Sequence, residues 1–527
     1  MYKILITDSL AEAGIKILEK EKKFNVVVKT KLSPDELKKE IKDADALIIR
    51  SGTKATAEVI KAADKLKVIG RAGVGLDNVD VEAASKKGII AMNTPSGNTI
   101  STAEHAMSLI LSLSRRIPQA NASLQAKKWE RKKFMGVELY GKALGIIGLG
   151  RIGTEVARRA SSFGMKILAY DPFLSSDKAG ELNIQLADLN EVLKKSDYIT
   201  IHTPLTDETK NIISTKAFKM MKKTAYIVNA ARGGVIDEKA LATAVKSGEI
   251  AGAALDVFEK EPPFESPALG VENIIVTPHL GASTEEAQIN VAIEVAEQVR
   301  DALLYGSVRN AVNFPSLDAE TARVLKPFVS LAEKLGQFEG QVAEGRLKKV
   351  SITYTGEIVN YNLKPLTISV VKGLLSPILG ETVNYVNALV IADERNIKIA
   401  ESESGKIKDF ANLISVQVET EKGKTSIEGT LFTKVDPRIV KIGQFYVDAI
   451  PSGNMVLISN RDVPGIVGQI GTILGKNKIN IAGMSFGREI PGKEAISILN
   501  VDSVISSKVL NEIKKAKDLL DAKVIKL

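Results

Sequence analysis

Three apolar runs in the middle third of this chain each end in a residue able to do chemistry. YIVNAARGG carries Arg232, GAALDVFEKEPP carries Glu261, and NIIVTPHLGAST carries His279. These types suit moving a hydride and a proton at a carbon that sits beside a carboxylate. Hydride transfer leaves a proton to be handled at oxygen, which asks for a positioned acid–base that titrates near neutrality, as histidine does. A carboxylate beside that ring orients it and stabilises the imidazolium. A guanidinium grips a substrate carboxylate in a fixed fork and polarises the adjoining carbonyl. Each position has a rival. Glu259 lies two residues before Glu261, Arg232 could be an ordinary loop ion pair, and His202 also ends an apolar run in ITIHTP. His202 better suits support of a cofactor loop near Thr203. The remaining histidine, His105, lies among apolar neighbours in STAEHAMSLIL and reads as structural.

A cofactor turn precedes these motifs. GIIGLGRIG sets Gly148-x-Gly150-x-x-Gly153 after an apolar strand and at the opening of a helix, the context a dinucleotide fingerprint needs. Gly148 permits the tight turn, Gly150 lets backbone approach a pyrophosphate, and Gly153 brings helix close to strand. The amides of Arg151 and Ile152 fall at the helix start, where the dipole favours phosphate. Asp171 follows the next strand, 18 residues beyond Gly153. A carboxylate there accepts from ribose hydroxyls and repels a 2′-phosphate, which favours NAD over NADP.

The elements that must position these residues are legible as rhythm. Residues 3–98 alternate short apolar strands with helical stretches, and a second such series runs from Lys142 to the TPHLGAST loop. Both predict βαβ units and parallel sheets covered by helices. Two long helices join the halves: one opens near a Ser101-x-x-Glu104 capping box, the other near Ser283-x-x-Glu286. The second helix returns to the first unit. After NFPSLD the texture changes to two helical patches and ISVQVETEKGKTSIEGTLF, a strand pair turning at EKGK. From Asn454 the order is βαββαβ, that of a small ferredoxin-like unit. The expected domains are 1–98 with 285–315, 99–284, 316–452 and 453–527.

Composition narrows the class. The chain has 527 residues, no cysteine and three histidines, which removes disulfides and thiolate nucleophiles and disfavours a metal site. The net charge of +9 is spread along the chain without a basic block, which favours a small anionic substrate over nucleic acid. No run is long and apolar enough for a membrane span, and no apolar leader opens the chain, so a cytoplasmic enzyme is expected.

The set GLGRIG, NAARGG, DVFEKEPP and TPHLGAST resembles the D-isomer-specific 2-hydroxyacid dehydrogenases across residues 1–315. The resemblance implies that Arg232, Glu261 and His279 are catalytic, and it prefers Glu261 to Glu259 because the family's Glu directly precedes Pro. It also implies cofactor contacts at Val74, Thr203, Ala230, Asp256 and the Gly281 loop, with Arg232 and His279 facing the same ligand. RSGTKAT, GRAGVGLDNVD, NTPSGNT and WERKKFMG look like the branch acting on a small phosphorylated hydroxy acid. That places Arg50, Arg71 and Asn98 toward the substrate, with Arg131 of the Arg131-Lys132-Lys133 run completing a phosphate site across a dimer interface. Residues 454–527 resemble an ACT domain, an amino-acid-sensing module, and 319–450 resemble the intervening domain of the family's long form. Asp462 and Asn480 fall where effector ligands occur, which makes L-serine the candidate effector. The loop departs from some regulated relatives in carrying Asn460 and Asp462 where they carry His and Asn. The implied fold is α/β: a flavodoxin-like substrate domain with an inserted Rossmann domain, then an α+β domain and a ferredoxin-like tail, in a homo-oligomer (dimer or tetramer). The alternatives are another D-2-hydroxyacid dehydrogenase, such as a glyoxylate or hydroxypyruvate reductase, and an NAD-gated binding protein on the same fold.

Overall fold

A computed structural model of the chain describes residues 1–174, 179–180, 184–315, 319–405 and 410–527. The first sheet contains β1 (Tyr2–Ile6), β2 (Phe24–Val28), β3 (Ala46–Ile49), β4 (Val68–Arg71) and β5 (Ile90–Asn93), all parallel in the order β2-β1-β3-β4-β5. That is the flavodoxin-like order. Its central strands are apolar throughout because helices cover both faces, as β3 shows with Ala46, Leu47, Ile48 and Ile49 all buried.

The second sheet holds β6 (Ala143–Ile147), β7 (Lys166–Tyr170), β8 (Gln185–Leu186), β9 (Tyr198–Ile201), β10 (Tyr226–Asn229), β11 (Gly252–Leu255) and β12 (Ile274–Val276). Its order is β12-β11-β10-β9-β6-β7-β8, again wholly parallel. The chain leaves β6 toward β7 and later crosses back to β9, so the glycine turn after β6 lies where the winding reverses. Open parallel sheets take ligands at that crevice.

Two long helices connect the sheets. Thr99–Arg115 packs Ala106, Ile110 and Leu113 on the second sheet. Glu285–Tyr305 packs Val291, Val295 and Val299 on the first, lying so close to β4 that a Cβ at Gly70 would stand 2.7 Å from Val295. Their caps differ from the expected boxes. Asn98 precedes the first helix without a side-chain cap, and Thr284, not Ser283, caps the second by accepting from Ala287 N. Ser101, two residues inside its helix, instead shares a 2.7 Å hydrogen bond with Thr284, which pins the two helix starts together.

Of the NFPSLD stretch, 316–318 lie outside the described residues, and with them the expected 315/316 boundary. Beyond it, β13 (Leu347–Gly356), β14 (Lys398–Ser404), β15 (Asn412–Thr420), β16 (Lys424–Leu431), β17 (Pro437–Ile442) and β18 (Phe445–Ala449) form a mixed sheet under the helices Ala319–Val342 and Lys364–Leu379. The EKGK stretch turns β15 into β16 as expected. The tail folds as β19 (Asn454–Arg461), β20 (Ile481–Arg488), β21 (Glu494–Val501) and β22 (Leu519–Lys526), antiparallel in the order β20-β21-β19-β22, with helices Ile466–Lys476 and Ser507–Lys514. Strand alternation gives this tail sheet two apolar faces. Val456, Ile458 and Leu499 face its own helices, whereas Met455, Ile496, Ile498 and Ile525 enter the core built by Leu335, Phe338 and the mixed sheet. The Gln341 amide pairs with both backbone groups of Lys526, at 2.9 and 3.0 Å, and seals that joint. Among the described residues no helix is long and apolar enough to cross a membrane.

Candidate active site

Arg232, Glu261 and His279 follow the carboxyl ends of β10, β11 and β12, and because these strands are adjacent and parallel all three lie beyond the same edge of the sheet. His279 Nδ1 stands 2.9 and 3.1 Å from the two carboxylate oxygens of Glu261. The ring is half exposed, and its Nε2 makes no hydrogen bond to the described residues. His279 has φ of 55°, a left-handed conformation costly for a side chain of this kind. Its amide donates to the carbonyls of Asp256 and Thr277, at 2.9 and 3.0 Å, which holds the turn. Glu259, the rival carboxylate, presents its amide to Glu238 and is not the ring's partner.

Asp256 does not present its carboxylate to the crevice. It is fully buried and accepts from Thr277 Oγ1 (2.6 Å), Leu280 N (2.7 Å), Gly281 N (2.8 Å) and His105 Nε2 (3.1 Å). Burial alone would raise its pKa, but these donors hold it below the usual carboxylate value. Asp256 and the Gly281 amide, both expected to touch the cofactor, bond each other and shape the His279 loop. His105, expected only to fill space, supplies one of the four donors. No local spacing in the sequence links His105 to Asp256, since the pair forms only when the helix Thr99–Arg115 lies against β11 and β12.

His202 is drawn out of the contest for acid–base. Its ring bonds Thr200 Oγ1 at 3.0 Å, its Nδ1 is buried without a partner among the described residues, and burial pushes its pKa down to about 4. It stays neutral at any ordinary pH and faces its own strand.

Arg232 follows Asn229, a buried side chain that bonds Arg232 O (2.8 Å) and Ala231 N (3.0 Å) and so fixes the turn. Ala230 is buried within that turn. From the opposite wall come Arg71 at the end of β4 and Arg50 just after β3. Arg71 folds over Gly73, its Nε is buried without a partner among the described residues, and burial together with the charges of Arg232 and Arg50 pushes it down to about 10. It remains charged at neutrality. Three guanidinium groups crowded at one cleft, with so little internal neutralisation, make a strong site for a multiply charged anion. A space of about 540 Å³ beside Arg50 is lined by Ser283, Thr284 and Gln288. Asn98 precedes the helix Thr99–Arg115, and its Oδ1 is buried without a partner among the described residues. Arg131 is not gathered in. It lies on an exposed turn with Lys132 and Lys133, between Trp129 (76% exposed) and Met135 (79% exposed).

The glycine turn fits a dinucleotide. Gly148 has φ of 92°, and a Cβ there would strike the His202 carbonyl at 2.8 Å. A Cβ at Gly153 would meet the Gly148 carbonyl at 2.2 Å, so only glycine lets the helix approach. The space over Gly150 is open, and the helix Arg151–Ser162 has no side-chain cap on its first amides. A cleft of about 510 Å³ lies there, lined by Gly150, Arg151 and Thr154. Asp171 accepts from Leu149 N at 2.8 Å and so braces the turn from the ribose side. Thr203 Oγ1 is buried without a partner among the described residues, and the Val74 carbonyl accepts from the Asn93 side-chain amide. Among the described residues no group of three or more His, Asp or Glu side chains is placed to hold a metal.

The tail's candidate ligands are already engaged within this chain. Asp462 accepts from Arg488 (3.1 Å) and Gly492 N (3.0 Å), and Asn480 donates to Asp502 at 2.8 Å.

Comparison with known proteins matches a family model to the second, third and fourth units. Residues 107–281 match the model of the D-isomer specific 2-hydroxyacid dehydrogenase NAD binding domain, 324–443 the D-3-phosphoglycerate dehydrogenase intervening domain, and 454–518 the ACT domain. The chain is 47% identical to the D-3-phosphoglycerate dehydrogenase of Methanocaldococcus jannaschii over the full length of both. It is 45% identical to that of Synechocystis, with 100% of this chain and 95% of the relative aligned. The one from Bacillus subtilis is 40% identical, again over the full length of both. Among solved structures, 59% of this chain overlays all of an Aquifex aeolicus D-lactate dehydrogenase complexed with NAD and lactic acid (TM-score 0.54, 29% identity). The same share overlays 98% of a glyoxylate reductase from Paecilomyes thermophila (TM-score 0.54, 31% identity).

Proposed function

The chain belongs to the D-3-phosphoglycerate dehydrogenases of the D-isomer specific 2-hydroxyacid dehydrogenase family, and on that premise we propose how its residues act. The reaction is the NAD-dependent oxidation of 3-phospho-D-glycerate to 3-phosphohydroxypyruvate, the entry to serine biosynthesis, carried out in the cytoplasm. The observation that carries the assignment of roles is the His279–Glu261 contact at 2.9 Å, with Arg232 and Arg50 close enough to Arg71 for their charges to act on it.

Arg232 takes the substrate carboxylate, and Arg50 and Arg71 take the phosphate, with Asn98 beside them. Neutral His279 accepts the proton of the C2 hydroxyl at Nε2 as that carbon is oxidised. The imidazolium so formed is stabilised at Nδ1 by Glu261, whose charge is already in place and needs no reorganisation. NAD, held along Gly148–Gly153 with Arg151, Ile152, Thr203 and Asp171, supplies the hydride acceptor. Asp171 favours NAD over NADP by repelling a 2′-phosphate. The exposed Trp129 and Met135 flanking Arg131 fit burial against a second subunit, which would bring Arg131 to the partner's phosphate site in a homo-oligomer. L-serine, the effector the tail suggests, would have to displace the Arg488 and Asp502 contacts of Asp462 and Asn480.

The test is steady-state turnover with NAD against 3-phosphoglycerate, D-glycerate and D-lactate. kcat/KM should be highest for 3-phosphoglycerate by at least two orders of magnitude, since a ligand without phosphate leaves Arg50 and Arg71 without the anion they would hold. Equal rates with D-glycerate would remove the phosphate role from Arg50 and Arg71.

A further inference from the structure

Asp77 is a carboxylate inside the anion site that the reaction does not use. It stands on the loop after β4, in the first sheet, and its Oδ2 lies 3.5 Å from Nε of Arg232, which follows β10 in the second. The pair therefore spans the cleft. Both groups stand over the bare backbone of Gly75, where a Cβ would lie 2.3 Å from Arg232 Nη2 and 2.6 Å from Asp77 Oδ2. Asp77 also offsets part of the charge crowding on Arg71. The other carboxylate near this cluster, Asp8, is tied down by the amides of Arg50 and Thr53 and by the Thr53 hydroxyl. Asp77 has no such ties: its side chain is 74% exposed and makes no other polar contact with the described residues.

We propose that Asp77 is a resident counter-ion of the empty site, which pairs with Arg232 across the cleft and gives way to the carboxylate of the incoming hydroxy acid. The proposal rests on the reading that Arg232 receives that carboxylate. A loosely held, exposed ion pair is weak, so it can be displaced in each turnover. It still competes, and the competition raises the substrate concentration needed for half-saturation. A carboxylate built into the chain also keeps three guanidinium groups from collecting stray anions while the site is empty. Because the competition acts on binding of the carboxylate alike in ground and transition states, its removal acts on KM rather than on kcat.

The experiment uses full-length Asp77→Asn with NAD and 3-phosphoglycerate, and inorganic sulfate as a competitive inhibitor. KM should fall about threefold to fivefold, the sulfate inhibition constant should fall with it, and Asp77→Glu should restore the wild-type values. A KM that rises would show that Asp77 holds Arg232 for the substrate instead, and an unchanged KM would show that the pair does not compete. Either overturns the proposal. Arg232→Lys separates the two levels: if it leaves KM and kcat near wild type, the reading of Arg232 fails. If it damages both while Asp77→Asn lowers neither constant, only the counter-ion role fails.

Discussion

Asp256 accepts the ring of His105 at 3.1 Å, and through that contact the helix Thr99–Arg115 is bonded to the loop that carries His279. The carboxylate is wholly buried and has four donors, so an amide in its place would turn a donor toward donors. Each stranded group costs about 1–3 kcal/mol. Asp256→Asn should lower the melting temperature by several degrees and lower kcat as His279 loses its left-handed turn. A variant with wild-type stability and kcat would mean the loop is held elsewhere.

His279→Asn should lower kcat by roughly two to four orders of magnitude, the range for general acid–base work, and leave NAD affinity intact. His202 cannot substitute, since burial holds its ring neutral with a pKa pushed down to about 4. Turnover within tenfold of wild type would dismiss His279 from proton transfer.

Glu261→Gln should lower kcat by roughly one to two orders of magnitude, part of the range for general acid–base work. The carboxylate 2.9 Å from Nδ1 orients the ring and stabilises the cation formed as Nε2 takes the proton, and an amide does this less well. A kcat within threefold of wild type would count against Glu261.

Glu339 gives stability a pH dependence unrelated to catalysis. It is buried on the helix Ala319–Val342, bonded by Thr425, with Lys523 of β22 as the nearest opposing charge, and burial pushes its pKa up to about 7. A carboxyl raised above its unfolded value contributes stability that is present below the unfolded pKa and lost as pH rises through the folded one. The loss therefore falls between about pH 4.5 and pH 7. Glu339→Gln cannot ionise and should melt above wild type at pH 8, with the advantage gone by pH 5. A difference independent of pH would assign the effect to packing alone.

Where the chain is cut should matter. Deleting 454–527, which by sequence order alone spares every residue proposed for catalysis, strips Met455, Ile496, Ile498 and Ile525 from the core around Phe338. That truncation should aggregate. A chain ending at 315 should stay soluble and bind NAD, since the two parallel sheets and their helices close by themselves, and any serine inhibition should be absent from it. Light scattering and NAD titration of both truncations check this; a well-behaved 1–453 chain would mean the shared core is dispensable.

The sequence by itself determined the two parallel sheets, the glycine turn and the acid, base and guanidinium at successive strand ends. These are local matters: apolar runs bounded by loops, glycines where backbone must come close, and reactive side chains placed directly after strands. The βαββαβ tail was legible for the same reason. What required tertiary structure were contacts between residues remote in the chain. His105 with Asp256, Asp77 with Arg232 and Ser101 with Thr284 form only when separate elements pack, and no spacing announces them. The surroundings of Asp256 were the least legible, because the donors around a carboxylate at a strand end are decided by which elements the fold brings to it. The tail's second apolar face was decided likewise: the unbroken apolar run Met455–Ile458 of β19 puts apolar side chains on both faces, but only packing shows that the helix Ala319–Val342 covers one of them.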